Sequence, residues 1–336
     1  TMLVYGEGGT GKSAIVKDAL TSRKDVRYFV FTATDFDVPS MADVSFRFGT
    51  GTMEEFCAAF LDQTSKVCVI ESAENILNSK STIIFTEFYN MLIKYKWKVI
   101  FTIRSAYVER FINDVIYNSE NIYFEVKKLS PEEIKIFAEN NGITLPQNKN
   151  VLDYITNLFY LSMYIKTISA EKSNSLFDFL NKIWDIVICK KGSFNTTAPD
   201  ARGKVATNIA LSIISKGHYN YKEISDNVDI VSALSEDGII YYDNRFEIYR
   251  FSHDVYQEII VKHYLTKLYK TSNSTKDFFD NMGDSYIIRK IFRSWLNDQI
   301  ITSYSDTHAW ISDILLNSSI SHIWKDEILI ILLGTT

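Results

Sequence analysis

Residues 2–20 read MLVYGEGGTGKSAIVKDAL: a short apolar strand, a glycine-rich turn and a helix. The turn matches G-x-x-x-x-G-K-[ST] at Gly6, Gly11, Lys12 and Ser13. Glycines at these places let backbone N–H groups face inward around an anion, and the helix that follows adds the positive end of its dipole. Gly6, Gly8, Gly9, Thr10, Gly11, Lys12, Ser13 and Ala14 are therefore the expected phosphate-binding residues. Lys12 would reach the β- and γ-phosphates, and the Ser13 hydroxyl would ligate Mg²⁺.

A phosphate cradle of this kind needs a second strand that ends in an acid. SKVCVIESAENIL (65–77) supplies one, with a buried-strand run over Lys66–Ile70 and Glu71 directly after it. Glu71 is the expected magnesium ligand, acting through water. Ser72 stands where a second acid often sits, and the next carboxylate is Glu74. Glu74 has two readings: it polarises the attacking water, or it caps a helix. Hydrolysis is accordingly expected to be slow. A third strand, in WKVIFTIRSAY (97–107), ends at Thr102 and Arg104. Ligands of an open parallel sheet lie beyond the carboxyl ends of its strands. Arg104 then stands where a γ-phosphate would lie and can tell ATP from ADP by a charge-assisted bond. The plainer alternative is an arginine that opens a surface loop.

Around these motifs, residues 1 to about 125 alternate apolar strands with helical stretches. Strands are expected at Met2–Tyr5, Arg27–Thr32, Lys66–Ile70, Lys98–Ile103 and Ile122–Val126, with TSRKD and TATDFDVPS as loops. That is the pattern of a parallel sheet with helices on both faces. From KKLSPEEIKIFAENNGI (127–143) helical periodicity takes over, and Ser130, Pro131, Glu132 and Glu133 form a strong helix start. Further on, ARGKVATNIALSIISKG reads as a helix closed by Gly217. NYKEISDNVDIVSALSEDGII reads as two short helices ending in a strand over Ile239–Tyr242. YYDNRFEIYRFSH reads as a hairpin turning at Asp243–Asn244. Three helices, a hairpin and a helix outline a winged helix. Its second and third helices, NYKEIS and VDIVSALSED, are acidic or neutral where DNA contact needs Lys and Arg, so direct DNA binding is not expected. KDFFDNM, SYIIRKIFRSWLNDQI and HAWISDILLNSS read as further helices, without a clean repeat period.

The bulk composition agrees with a globular, helix-rich chain. Of 336 residues, 46% are apolar and 23% charged, and the net charge of −5 signals no overall nucleic-acid-binding surface. Gly (13) and Pro (4) are scarce, while 22 Phe and 20 Tyr promise aromatic cores. Cys57, Cys68 and Cys189 are too scattered for a disulfide framework or a zinc knuckle, and reduced thiols in a cytoplasmic protein are expected. No apolar run is long enough to span a membrane. Both ends read as cuts through a longer protein.

The ordered set GEGGTGKS, VCVIESAE, VIFTIR, LSPEE, a winged-helix outline and FSHD resembles the STAND class of signal-transduction ATPases, the AAA+-related group that includes NACHT and NB-ARC proteins. The likeness covers residues 1 to about 265. It implies a nucleotide-binding domain (1–126), a small helical domain (127–180), a winged-helix domain (181–265) and the start of a helical sensor (266–336). It also implies ATP or ADP with Mg²⁺ as ligands, an effector domain N-terminal to this chain, a protein trigger, and a homo-oligomer once activated, plausible in anti-phage defence. Lys12 and Ser13 would bind phosphate and Mg²⁺, Glu71 would sit at the magnesium position and Arg104 would be the sensor. His253 would match the winged-helix histidine that contacts the ADP β-phosphate in a closed state. Leu158, in TNLFYLSMY (156–164), stands where the family often places a proline on the adenine. From the residues alone, His253 has no H-x₃-H partner for a metal and no nucleophile for a triad; it is a core histidine or such a latch. Two rivals remain: a DNA-bound AAA+ ATPase and a non-hydrolysing nucleotide-binding scaffold.

Overall fold

The computed structural model describes residues 1–49, 51–78, 82–117, 119–167, 175–192, 198–216, 219–220, 227–244 and 247–334. They form two compact units, residues 1–134 with 156–159, and residues 135–155 with 160–336.

In the first unit, β1 (Met2–Gly6), β2 (Arg27–Thr32), β3 (Lys66–Glu71), β4 (Lys98–Arg104) and β5 (Ile122–Glu125) make one parallel sheet in the order β2-β3-β4-β1-β5. The apolar runs of the inner strands β1, β3 and β4 are largely buried on both faces, as inner parallel strands require, while the edge strands β2 and β5 are more exposed. Successive side chains leave a strand on opposite sides. Val67 and Val69 of β3 therefore join Val4, Val16 and Leu20 on one face, where α1 (Lys12–Thr21) lies. Cys68 and Ile70 join Phe85, Phe88 and Leu92 on the other. That second face is covered by α2 (Met41–Arg47), α3 (Met53–Ala58), α4 (Thr82–Lys94) and α5 (Val108–Asp114). An aromatic cluster fills it: Phe56 stacks on Trp97 with ring centres 5.5 Å apart, and Phe29 meets Phe56 edge-on at 4.9 Å. The TATDFDVPS segment is more than a loop. Ala33–Phe36 forms a 3₁₀ turn whose Ala33, Asp35 and Phe36 are buried. Its apolar residues hold it against the core.

Helix starts follow a repeated S/T-x-x-D/E rule, because a hydroxyl three residues ahead accepts an orphan N–H. Ser40 caps α2, Thr52 caps α3, and Ser130 with Glu133 makes a reciprocal box at the start of α6 (Pro131–Asn141).

The second unit is largely helical. It holds α7 (Lys149–Ile155), most of α8 (Leu158–Thr167), α9 (Leu176–Lys182) and a π-helical turn over Ile183–Ile188. Then come α10 (Pro199–Lys216) and α11 (Val228–Glu236), followed by α12 (Asp254–Thr271), α13 (Thr275–Met282), α14 (Tyr286–Thr302), α15 (Tyr304–Leu316) and α16 (His322–Gly334). A small antiparallel sheet of β6 (Tyr219–Asn220), β8 (Ile248–Phe251) and β7 (Ile240–Asp243), in that order, sits among them. The helix expected in NYKEIS and the Gly217 stop lie outside the described residues. Phe278, Phe279, Phe292, Trp295 and Trp324 build a buried aromatic core under α13–α16. The three cysteines are free and buried, and burial pushes the Cys57 thiol up to about 11. Among the described residues, no helix is long and apolar enough to cross a membrane.

Candidate nucleotide-binding site

The parallel register brings the carboxyl ends of three strands together. Gly6 of β1 pairs with Arg104 of β4, and β3 runs beside β4 to end at Glu71. The loop from Glu7 to Gly11 leaves this edge and enters α1. Gly9 and Gly11 have φ of +83° and +92°, in the left-handed region that suits glycine. Gly11 caps α1 with no side-chain oxygen, and the first turn of α1 has no acid. The four orphan N–H groups at this helix start thus face no competing carboxylate from the helix itself. Thr10, 1% exposed, donates from its hydroxyl to the Glu7 carbonyl at 2.9 Å and fixes the loop from within. Lys12 Nζ donates to the carbonyls of Gly6 (3.1 Å) and Glu7 (2.6 Å). Ser13 and Ala14 lie exposed in the first turn of α1.

These residues fit a phosphate: backbone amides of the loop, a helix N-terminus and one ammonium. They also fit Mg²⁺, which binds through one or two protein oxygens and the substrate's phosphates rather than a full protein cage. Ser13 and Glu71 would be those oxygens. Among the described residues, no cluster of three or more His, Cys, Asp or Glu offers a separate metal site.

Glu74 lies on a 3₁₀ turn (Ala73–Asn78) directly after β3 and is 6% exposed. Arg104 Nε is 3.1 Å from its Oε1, and the Arg104 amide donates to its Oε2 at 3.3 Å. The turn is set by Ser72, at φ +53°, whose amide donates to Thr102 Oγ at 3.1 Å. A β-carbon added to Gly8 would lie 3.5 Å from Arg104 Cζ. The arginine is therefore beside the phosphate loop, and it is no loose surface residue.

Residues 156–159 fold with the sheet unit and strap the loop. Asn157 Nδ2 donates to the Gly8 carbonyl at 2.7 Å, and the Phe159 amide donates to the Gly9 carbonyl at 3.1 Å. Leu158 Cδ1 lies 3.0 Å from where a β-carbon on Gly11 would stand. The sequence singles out Leu158 for covering the adenine; it does not single out Asn157 and Phe159, which flank it. His253 belongs to the second unit. It caps α12, with Nδ1 accepting from the Val255 amide at 3.2 Å, so a proton on a neutral ring sits at Nε2.

No protein-family model matches the chain. No curated protein matches it either. Among solved structures, it is similar to a Walker-type ATPase of Pyrococcus abyssi, at 11% identity and a TM-score of 0.40 over 77% of this chain and 90% of that one. It is similar to a STAND protein with a tetratricopeptide-repeat sensor from Pyrococcus horikoshii, at 14% identity and a TM-score of 0.40. That match covers 99% of this chain, which spans about half (53%) of the other. An Aeropyrum pernix ORC1 protein in complex with DNA is similar at 11% identity and a TM-score of 0.36, over 78% of this chain and 86% of that one. The chain has a P-loop nucleotide-binding fold, carried by its own loop and strand order.

Proposed function

We propose that this chain is the nucleotide-operated core of a STAND-type signalling switch: it holds ADP in a closed state and exchanges it for ATP when a protein trigger is sensed. The observation that carries this reading is the strap. Asn157 and Phe159 bind the Gly8 and Gly9 carbonyls, and α8 continues from them into the helical unit. A switch of this kind would need its loop tied to the part of the chain that receives the signal. Leu158, beside Gly11, would cover the base.

Backbone amides from Gly8 to Ser13 would hold the phosphates, with Lys12 turning from the Gly6 and Glu7 carbonyls to the β- and γ-oxygens. Ser13 and Glu71 would hold Mg²⁺, whose bound charge offsets that building on the phosphates during transfer. Arg104 would read the γ-phosphate. The helices α10 and α11, the three-stranded sheet and α12 fit a winged helix, with His253 at the head of α12 as the latch on a diphosphate. α11, VDIVSALSE, carries no Lys or Arg, which speaks for a switch role over a DNA-bound one. An effector, activation by oligomerisation and a role in defence against phage complete the reading.

The test is to purify the full-length protein without added nucleotide, denature it and identify what it releases. About one ADP per chain is the expected result. Asn157→Ala should then speed ADP release about tenfold, the effect of losing one buried hydrogen bond of roughly 1.4 kcal/mol. An empty site with steady ATP turnover would overturn the switch.

A further inference from the structure

The Arg104–Glu74 pair carries more than nucleotide sensing. The guanidinium has Glu74 on one side and the phosphate loop on the other. Nε lies 3.1 Å from Glu74 Oε1, while Cζ and both terminal nitrogens lie 3.5–3.7 Å from the β-carbon position of Gly8. The carboxylate side chain is 8% exposed and the arginine 18% exposed, so water screens the pair weakly. Both carboxylate oxygens are engaged, Oε1 by the side chain and Oε2 by the backbone amide of the same residue. The turn that aims Glu74 back at Arg104 is held by Ser72 in a backbone conformation that residues other than glycine rarely adopt.

We infer that Arg104 is shared in alternation between Glu74 and the γ-phosphate, so that the sensor also blocks and releases the proton acceptor for hydrolysis. This rests on the phosphate-loop reading above. A carboxylate oxygen that already accepts a charge-assisted bond has less charge left to draw a proton from water. With a diphosphate in the site, Arg104 stays on Glu74. A γ-phosphate beside Gly8 offers the guanidinium a second, doubly charged partner. Arg104 turns to it, and Glu74 is freed. Glu74 then takes one proton from the attacking water as the water oxygen bonds to the γ-phosphorus and the β–γ bridging oxygen leaves with the bonding pair. It returns that proton to the released phosphate. Arg104 falls back, and the next cycle waits for exchange. The interval between turnovers would then be set by the ion pair as well as by nucleotide release.

Competition for one arginine makes a prediction that a plain sensor does not. Glu74→Gln keeps the shape and removes the competing charge, so the preference for ATP over ADP should rise about tenfold, within the usual span of coupling between two sites. Turnover should fall by about 100-fold or more, the usual contribution of a general base. In an Arg104→Gln background, Glu74→Gln should leave the nucleotide preference unchanged. Affinities for ATP and ADP are measured on the full chain by calorimetry, with Glu74→Asp, which keeps the charge and shortens the reach, as a second route should the glutamine variant not fold. An unchanged ATP-to-ADP ratio in Glu74→Gln overturns the alternation and leaves the nucleotide site standing. Failure of the wild type to bind either nucleotide overturns the site itself, and the alternation with it.

Discussion

Each unit buries an ion pair, and the surroundings of the two differ. Arg104–Glu74 sits at the carboxyl edge of the sheet, with one partner partly exposed and facing the phosphate loop. Lys262 of α12 is enclosed on every side. It lies 2.8 Å from Asp298 of α14 and 3.2 Å from Glu258, Ser294 donates to Glu258 at 2.9 Å, and the Tyr154 hydroxyl donates to Asp298. Burial alone would pull the Lys262 ammonium down; Asp298, Tyr154 and Glu258 outweigh it and hold the group well above the usual lysine range. The arginine has the phosphate loop beside it. The lysine has only its own network, so it fixes how α7, α12 and α14 pack. Burial costs a charge dearly in both places, and geometry decides whether the pair can exchange partners.

The comparison breaks most plainly at Lys262. Lys262→Met leaves Asp298 and Glu258 buried without their cation and should cost about 3–5 kcal/mol of stability. Urea titration followed by tryptophan fluorescence reads it, and replacing Asp298 and Glu258 by Leu as well should recover much of the loss. A cost under about 1 kcal/mol would remove the network from the account of the fold. Lys12→Ala sharpens the other side. It should weaken ATP about 100-fold, through loss of charge-assisted bonds worth roughly 3 kcal/mol, while the urea midpoint stays near wild type. Unchanged ATP affinity would unseat the phosphate loop.

The smallest effect concerns His263, stacked on Trp184 at 3.8 Å. Burial lowers its pKa from 6.5 to about 4. Between those pH values the unfolded chain binds the extra proton and the folded chain does not. Stability from this group is therefore full above about pH 6.5 and is lost as pH falls toward 4. His263→Phe should flatten the fall in urea midpoint between pH 6.5 and 5; an equal fall in both proteins would show that other groups cause it.

The five sheet strands were legible within a residue or so at each end, because each is a short apolar run stopped by turn residues. The phosphate loop was legible for the same reason: its chemistry lies within thirteen consecutive residues. The Arg104–Glu74 contact was not. It joins residues thirty apart, and only the adjacency of β3 and β4 makes them neighbours. Asn157 and Phe159 escaped because a polar–apolar–aromatic triplet has many uses; the nearest hint was Leu158 between them. The 3₁₀ turn over Ala33–Phe36 was hidden by the Thr, Asp and Pro content of TATDFDVPS, which suggests a loop even where Phe36 is fully packed. Trp184 and His263 meet through helix register although they stand 79 positions apart, and periodicity does not encode that.

The strap has a consequence for biosynthesis. Asn157 and Gly8 stand 149 residues apart in the chain. A polypeptide made N-terminus first has all five strands once Glu125 is out, yet lacks Asn157 and Phe159 for about thirty residues more, a few seconds at ~5–20 residues per second. During that interval the loop lacks the two hydrogen bonds that later hold it, and a nucleotide bound then would be present when they form. The closure that follows would trap whatever was taken up, so the cell's ATP-to-ADP ratio at the moment of translation would set the starting state of each new molecule.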